Sequence, residues 1–96
     1  MDREEILKQS LRIIRRHLPG GDYRILLFGS WAKGSAQETS DIDIGILGAQ
    51  PVDDLLLIRL RDEIRGIPTL RRIDVVDLSQ TDDTFRKEVL SYARAL

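Results

Sequence analysis

The stretch LLFGSWAKGSAQETSDIDIGIL (residues 26–47) decides how the rest of the chain is read. An apolar run stops at Gly29-Ser30, a polar loop follows, and a second apolar run carries Asp41 and Asp43 at alternate positions. In a strand, residues two apart project from the same face. Asp41 and Asp43 therefore share one face with Gly45, while Ile42, Ile44 and Ile46 share the other. A 96-residue chain buries only a modest part of its unfolded surface, and paired like charges on a core strand cost stability unless something neutralises them. The stretch predicts a strand, a turn with room for one helical turn near residues 31–33, and a second strand that bears a charged site.

On the N-terminal side, Ile6, Leu7, Leu11, Ile13, Ile14 and Leu18 form a helical stripe, so residues 2–17 read as an amphipathic helix. Asp2 and Glu5 have the spacing of a capping box, and Pro19-Gly20-Gly21 stops the segment. YRILLF (residues 23–28) is a strand buried on both faces. Residues 55–67 resume a helical period and stop at Gly66 and Pro68, and residues 72–78 form a β-branched third strand. Thr81 then serves as the cap of a last helix whose stripe is Phe85, Val89, Tyr92, Ala93 and Leu96, read as core. The element order α-β-α-β-α-β-α places the chain in the α/β (α+β) class. It predicts a small mixed sheet of about three strands with helices packed on it, as one domain over residues 1–96.

Charge and composition exclude several function classes. Fifteen basic against sixteen acidic side chains leave a formal charge of −1, which gives no support to a nucleic-acid or membrane partner. The absence of cysteine rules out disulfides and thiolate metal sites, and a single histidine argues against zinc. The opening MDREEILKQS lacks the layout of a signal peptide, and no apolar run approaches a membrane span, so a cytoplasmic location is expected.

The two aspartates carry the chemistry. A divalent cation converts their repulsion into affinity, and hard oxygen ligands select Mg²⁺, which takes one or two carboxylates and fills its remaining positions with water and substrate phosphate. Gly29 and Ser30, at the end of a strand and before a helical turn, suit that phosphate: glycine admits close approach and the serine hydroxyl donates. A P-loop is rejected because Ser35 and Ala36, not Lys and Ser/Thr, follow Gly34. Arg71 and Arg72 read as solvent-facing, and His17 as a complement to the first helix's dipole.

Gly29-Ser30, ten intervening residues, then Asp41-Ile42-Asp43 resembles the GS-x10-DxD signature of the nucleotidyltransferase superfamily that includes DNA polymerase β. Small size and the helix-first order are similar to its minimal branch, the MntA-like antitoxins. The resemblance implies that Gly29 and Ser30 hold a nucleoside triphosphate, with Lys33 and Gly34 as further nucleotide contacts. It also implies that Asp41 and Asp43 hold two Mg²⁺ ions and that a third carboxylate arrives from a later strand. Asp74 and Asp77 are the candidates, on opposite faces by strand period, and Asp74, central in its apolar run, is the better match. The implied activity is transfer of AMP from ATP to a hydroxyl of a HEPN-domain toxin, with this chain as antitoxin in a homo- or hetero-oligomer. Alternatives left open are a non-catalytic antitoxin and a nucleotidyltransferase acting on a small molecule or RNA. The family often has arginine after the Gly-Ser pair; here Trp31 stands there, read either as a cover for the base or as core.

Overall fold

Asp2 starts the first helix by accepting the Glu5 N–H at 2.9 Å, with Glu4 and Glu5 in the first turn and Arg15, Arg16 and His17 in the last, the order that complements the helix dipole. The computed structural model describes residues 1–37 and 40–96, so Glu38 and Thr39 of the polar loop lie outside the described residues. Its elements are α1 (Arg3–His17), β1 (Tyr23–Phe28), α2 (Gly29–Lys33), β2 (Ile42–Gly48), α3 (Asp54–Arg65), β3 (Ile73–Asp77), α4 (Asp83–Tyr92) and β4 (Arg94–Ala95). Two short 3₁₀ turns, Pro19–Gly21 and Leu78–Gln80, complete them.

The sheet order is β3-β2-β1-β4. β1 runs antiparallel to both β2 and β4, while β2 and β3 are parallel and joined by α3. The mixed α+β architecture is thus the one expected, with four strands rather than three. The added strand has a local cause. α4 ends at Tyr92, Ala93 is extended, and the Leu96 N–H reaches the Ile25 carbonyl at 2.9 Å, so the last residues pair with β1 instead of continuing the helix. Leu96 therefore leaves the helical stripe assigned to it. Thr81 is likewise not the cap of α4: Asp82 accepts the Phe85 N–H at 2.8 Å, while the Thr81 hydroxyl donates to the Leu78 carbonyl at 2.7 Å in the preceding turn.

Strand alternation divides the core in two. Ile25 and Leu27 of β1, Ile42, Ile44 and Ile46 of β2 and Val75 of β3 face α1 and α3, packing with Ile6, Ile14, Leu60 and Ile64 in the main cluster. Leu26 and Phe28 point the other way, into a smaller cluster with Leu78 and Val89 beneath α4. β2 offers that second face Leu47 and, directly under Leu78, a glycine at position 45. A Cβ there would stand 2.5 Å from Leu78 Cδ1, so the close seat of Leu78 on the sheet depends on Gly45.

Asp77 ends β3 on the main-cluster face and is 5% exposed. Its carboxylate accepts from the Val52 N–H at 2.8 Å, the Ser79 hydroxyl at 2.7 Å, the Ser79 N–H at 3.1 Å and the Gln80 amide at 3.2 Å. Burial raises its pKa, but these donors outweigh burial and hold it below the ordinary value of 3.8. The residue thus ties the loop before α3 to the end of β3. A depressed carboxylate contributes stability that is whole above its unfolded pKa and is lost as pH falls through the folded one. Asp77→Ala is expected to lower unfolding free energy by about 2–4 kcal/mol in urea titration. Asp77→Asn should flatten the loss of stability that the native chain shows on acidification below pH 3.8.

Candidate active site

Three strands meet at Asp43. Register places it opposite Phe28 on β1 and opposite Asp74 on β3. Directly paired residues project from the same side of a sheet, and neighbouring strands lie about 4.8 Å apart. The two carboxylates are therefore neighbours on the face that carries the smaller apolar cluster. Asp41 stands exposed one residue before β2, where the Ile42 N–H donates to the Arg72 carbonyl at 2.8 Å. Burial, then the charges of Asp74 and Asp41, push the Asp43 carboxyl above the ordinary carboxylate range, and Arg72 acts against them. Arg72 Nε donates to Asp74 Oδ1 at 2.9 Å. Asp77 is on the opposite face, as strand period requires, and belongs to the structural network described above.

Gly29, directly after β1, presses onto Asp43. Its φ of +71° lies in the region that favours glycine, and a Cβ there would collide with the Asp43 carboxylate, so a side chain is excluded twice over. Ser30 follows in the first turn of α2, which Gly34 ends at φ +78° by donating its N–H to the Ser30 carbonyl. The Gly29 N–H itself donates to Tyr92 Oη at 3.0 Å. Lys33 reaches α4, with Nζ 4.6 Å from the Tyr92 ring centroid and 3.9 Å from Glu88. The structure brings Gly29, Asp43 and Asp74 together with Asp41 on the flank, whereas Lys33 and Gly34 lie at the far end of α2.

Trp31 packs on the main cluster, donates Nε1–H to the Ser40 carbonyl at 3.1 Å, and has the Arg3 and Arg71 guanidinium carbons 4.8 and 5.0 Å from its ring. It anchors the loop and is engaged on its ring, which favours the core reading over a cover for a base. A cleft of about 800 Å³ runs along the β3 edge of the sheet, lined by Asp43, Asp74 and Phe85 on the carboxylate face and by Arg61, Ile64 and Ile67 on the α3 face, with Arg71 and Arg72 also lining it, and its lining does not include the Gly29-Ser30 turn.

Two contacts at the site escaped the sequence reading. Arg72, read as solvent-facing, pairs with Asp74; it precedes Asp74 by two positions on one strand, a spacing from which the contact is legible. Tyr92, read as core, reaches Gly29 across 63 positions, and no local signal announces such a contact.

Among the described residues, no three acidic or imidazole side chains converge into a ready-made metal cage. Mg²⁺ does not need one, because it takes one or two protein carboxylates and completes its shell with water and phosphate. The adjacent Asp43 and Asp74 fit that requirement: hard oxygens, side by side, with the Asp43 pKa raised by burial and then by the charges of Asp74 and Asp41.

The sequence matches the family model "Polymerase beta, Nucleotidyltransferase" over residues 23–96. A Haemophilus influenzae protein named "Probable protein adenylyltransferase MntA" is 35% identical over 66 residues, covering 69% of this chain and 58% of that protein. The chain thus spans a little over half of that relative's length. A solved toxin–antitoxin complex with AMP-PNP contains a chain of the same fold, with a TM-score of 0.74 at 24% identity, covering 98% of this chain and 72% of that one. A structure of tri-AMPylated Shewanella oneidensis HEPN toxin with MNT antitoxin gives 0.70 at 22% identity, covering 96% of this chain and 69% of the other. With the matched residues taking in the Gly29-Ser30 turn, both aspartates of β2's motif and Asp74, the chain belongs to the polymerase beta nucleotidyltransferase family.

Proposed function

We propose that this chain is a Mg²⁺-dependent protein adenylyltransferase, one domain over residues 1–96, that transfers AMP from ATP to a hydroxyl of a HEPN-type toxin in the cytoplasm and acts as its antitoxin. The observation that carries the reading is the register of Asp43 against Asp74 beside a glycine turn that admits no side chain. Family membership supports the reaction class. The adenylyltransferase name of the Haemophilus relative and the AMPylated HEPN toxin bound to a neighbour of this fold support the donor and the acceptor.

In this reading Gly29 and Ser30 hold the triphosphate at the end of β1, with Lys33 and Gly34 as outer contacts. Asp41, Asp43 and Asp74 hold two Mg²⁺ ions, which when bound supply charge neutralisation for the attacking and leaving oxygens of an in-line displacement. The acceptor hydroxyl enters from the cleft beside Asp74. Asp74 Oδ1 is engaged by Arg72, and its second oxygen, without a hydrogen-bond partner among the described residues, orients the hydroxyl and accepts its proton. The new bond joins the acceptor oxygen to the α-phosphorus, the bond from that phosphorus to the bridging oxygen breaks, and pyrophosphate leaves. Positioning and charge neutralisation supply most of the rate in such transfers.

The test is transfer of labelled AMP from ATP to the co-purified HEPN partner, read as an added mass per acceptor site. Asp43→Asn is expected to reduce transfer at least ~100-fold while leaving the fold intact. Retained transfer would remove Asp43 from the site, and retained protection of cells by the double variant Asp41→Asn, Asp43→Asn would show that occupancy of the toxin suffices. Gly29→Ala should also abolish transfer, since a methyl group there displaces the Asp43 carboxylate; wild-type rates in that variant would contradict the close approach.

A further inference from the structure

The hydroxyl of Tyr92 is placed where a core tyrosine has no need to be. α4 packs on the sheet through Val89, beside Leu78 of the preceding 3₁₀ turn, and the Tyr92 ring lies at the margin of that cluster, half-buried. From there its Oη accepts the Gly29 N–H at 3.0 Å, at the turn assigned above to the triphosphate. A phenol that accepts an amide proton still has its own proton to donate, and accepting strengthens it as a donor. Among the described residues, nothing receives that proton. A cation stands beside the ring: Lys33 Nζ is 4.6 Å from its centroid and is shared with Glu88 at 3.9 Å.

We propose that Tyr92 is a phosphate-binding residue of this site, its phenol O–H donating to an oxygen of the nucleoside triphosphate while its oxygen fixes the Gly29 amide. The assignment rests on the nucleotidyltransferase reading of the Gly29-Ser30 turn. Asp43 and Asp74 mark the end of the site where the reacting phosphorus is held, and Tyr92 contacts the turn from outside the lining of the cleft by which the acceptor enters. The oxygens it meets are therefore those of the β,γ-diphosphate, the part that leaves. Tyr92 thereby distinguishes a triphosphate from a monophosphate. A purely structural tyrosine would make no such distinction.

The test is calorimetric titration of the folded chain with Mg²⁺ and either α,β-methylene-ATP or AMP, for the wild type and Tyr92→Phe. Phenylalanine keeps the ring and its contact with Lys33. The expected result is a loss of about tenfold in triphosphate affinity, the size of one hydrogen bond to a charged group, with AMP affinity changed less than twofold. Equal loss for both ligands assigns Tyr92 to turn geometry alone and overturns the proposal, as does unchanged binding of both. Absence of triphosphate binding by the wild type would overturn the nucleotidyltransferase reading along with it, so the two failures are distinguishable. Wild-type protein labelled at tyrosine Cζ gives the same answer without a substitution: the Tyr92 resonance should move on adding the triphosphate analogue and stay in place on adding AMP.

Discussion

The juxtaposition of Asp43 and Asp74 on adjacent parallel strands is the constraint around which the rest of this molecule is arranged. A slip of one residue between β2 and β3 would set Asp43 against Ile73 or Val75 and send one of the two strands' apolar residues to the wrong face. The alternation of Ile42, Ile44 and Ile46 with Val75 into the main cluster prevents that slip. The parallel pairing in turn demands a crossover, and α3 supplies it on the face away from the carboxylates. The α3 cover on one face and the adjacent carboxylates on the other are therefore two consequences of one register.

The two faces of the sheet divide the work. The α1/α3 face holds most of the buried apolar side chains, and also Asp77, a carboxylate fully supplied with donors. The α4 face holds four buried apolar residues together with Asp43 and Asp74, whose charges repel. Stability comes from the first face, so the second can tolerate an electrostatic arrangement that does not itself stabilise the fold. The same residue type is thus tied into a donor network at position 77 and left to repel its neighbour at 43 and 74, and hydrogen-bond donors in reach make the difference.

Much of this was legible in the sequence because the period-2 pattern is strong where both sheet faces matter. Residues 23–28 were bounded as a strand on their apolar run and flanking glycines, and Asp74 separated from Asp77 by parity alone. Four features were not legible, for separate reasons. β4 is two residues long and forms through backbone pairing, for which Arg94 and Ala95 carry no side-chain signal. Thr81 and Asp82 are both good caps, and the choice between them depends on the Leu78 carbonyl drawing the Thr81 hydroxyl away. Trp31 reads ambiguously in sequence because its partners, Arg3 and Arg71, come from elements far apart in the chain. Tyr92 has a helical-stripe position that accounts for its ring but not for its hydroxyl.

Arg72 explains how the carboxylate pair exists without being locked. Its side chain is 75% exposed and that of Asp74 35%, so their ion pair is a surface one, worth at most about 1 kcal/mol. On the proposed function, Asp43 and Asp74 would hold a divalent cation, which would bring twice the charge of one guanidinium, and so exposed an ion pair would do little to oppose it. The guanidinium also lines the cleft beside the carboxylates while its Nε stays on Asp74 Oδ1. A lysine would provide the charge without the planar fork that can hold Asp74 through Nε and still present its remaining N–H groups to the cleft. Arg72 thus moderates the repulsion at Asp43 through an exposed pairing that leaves the second oxygen of Asp74 unengaged among the described residues.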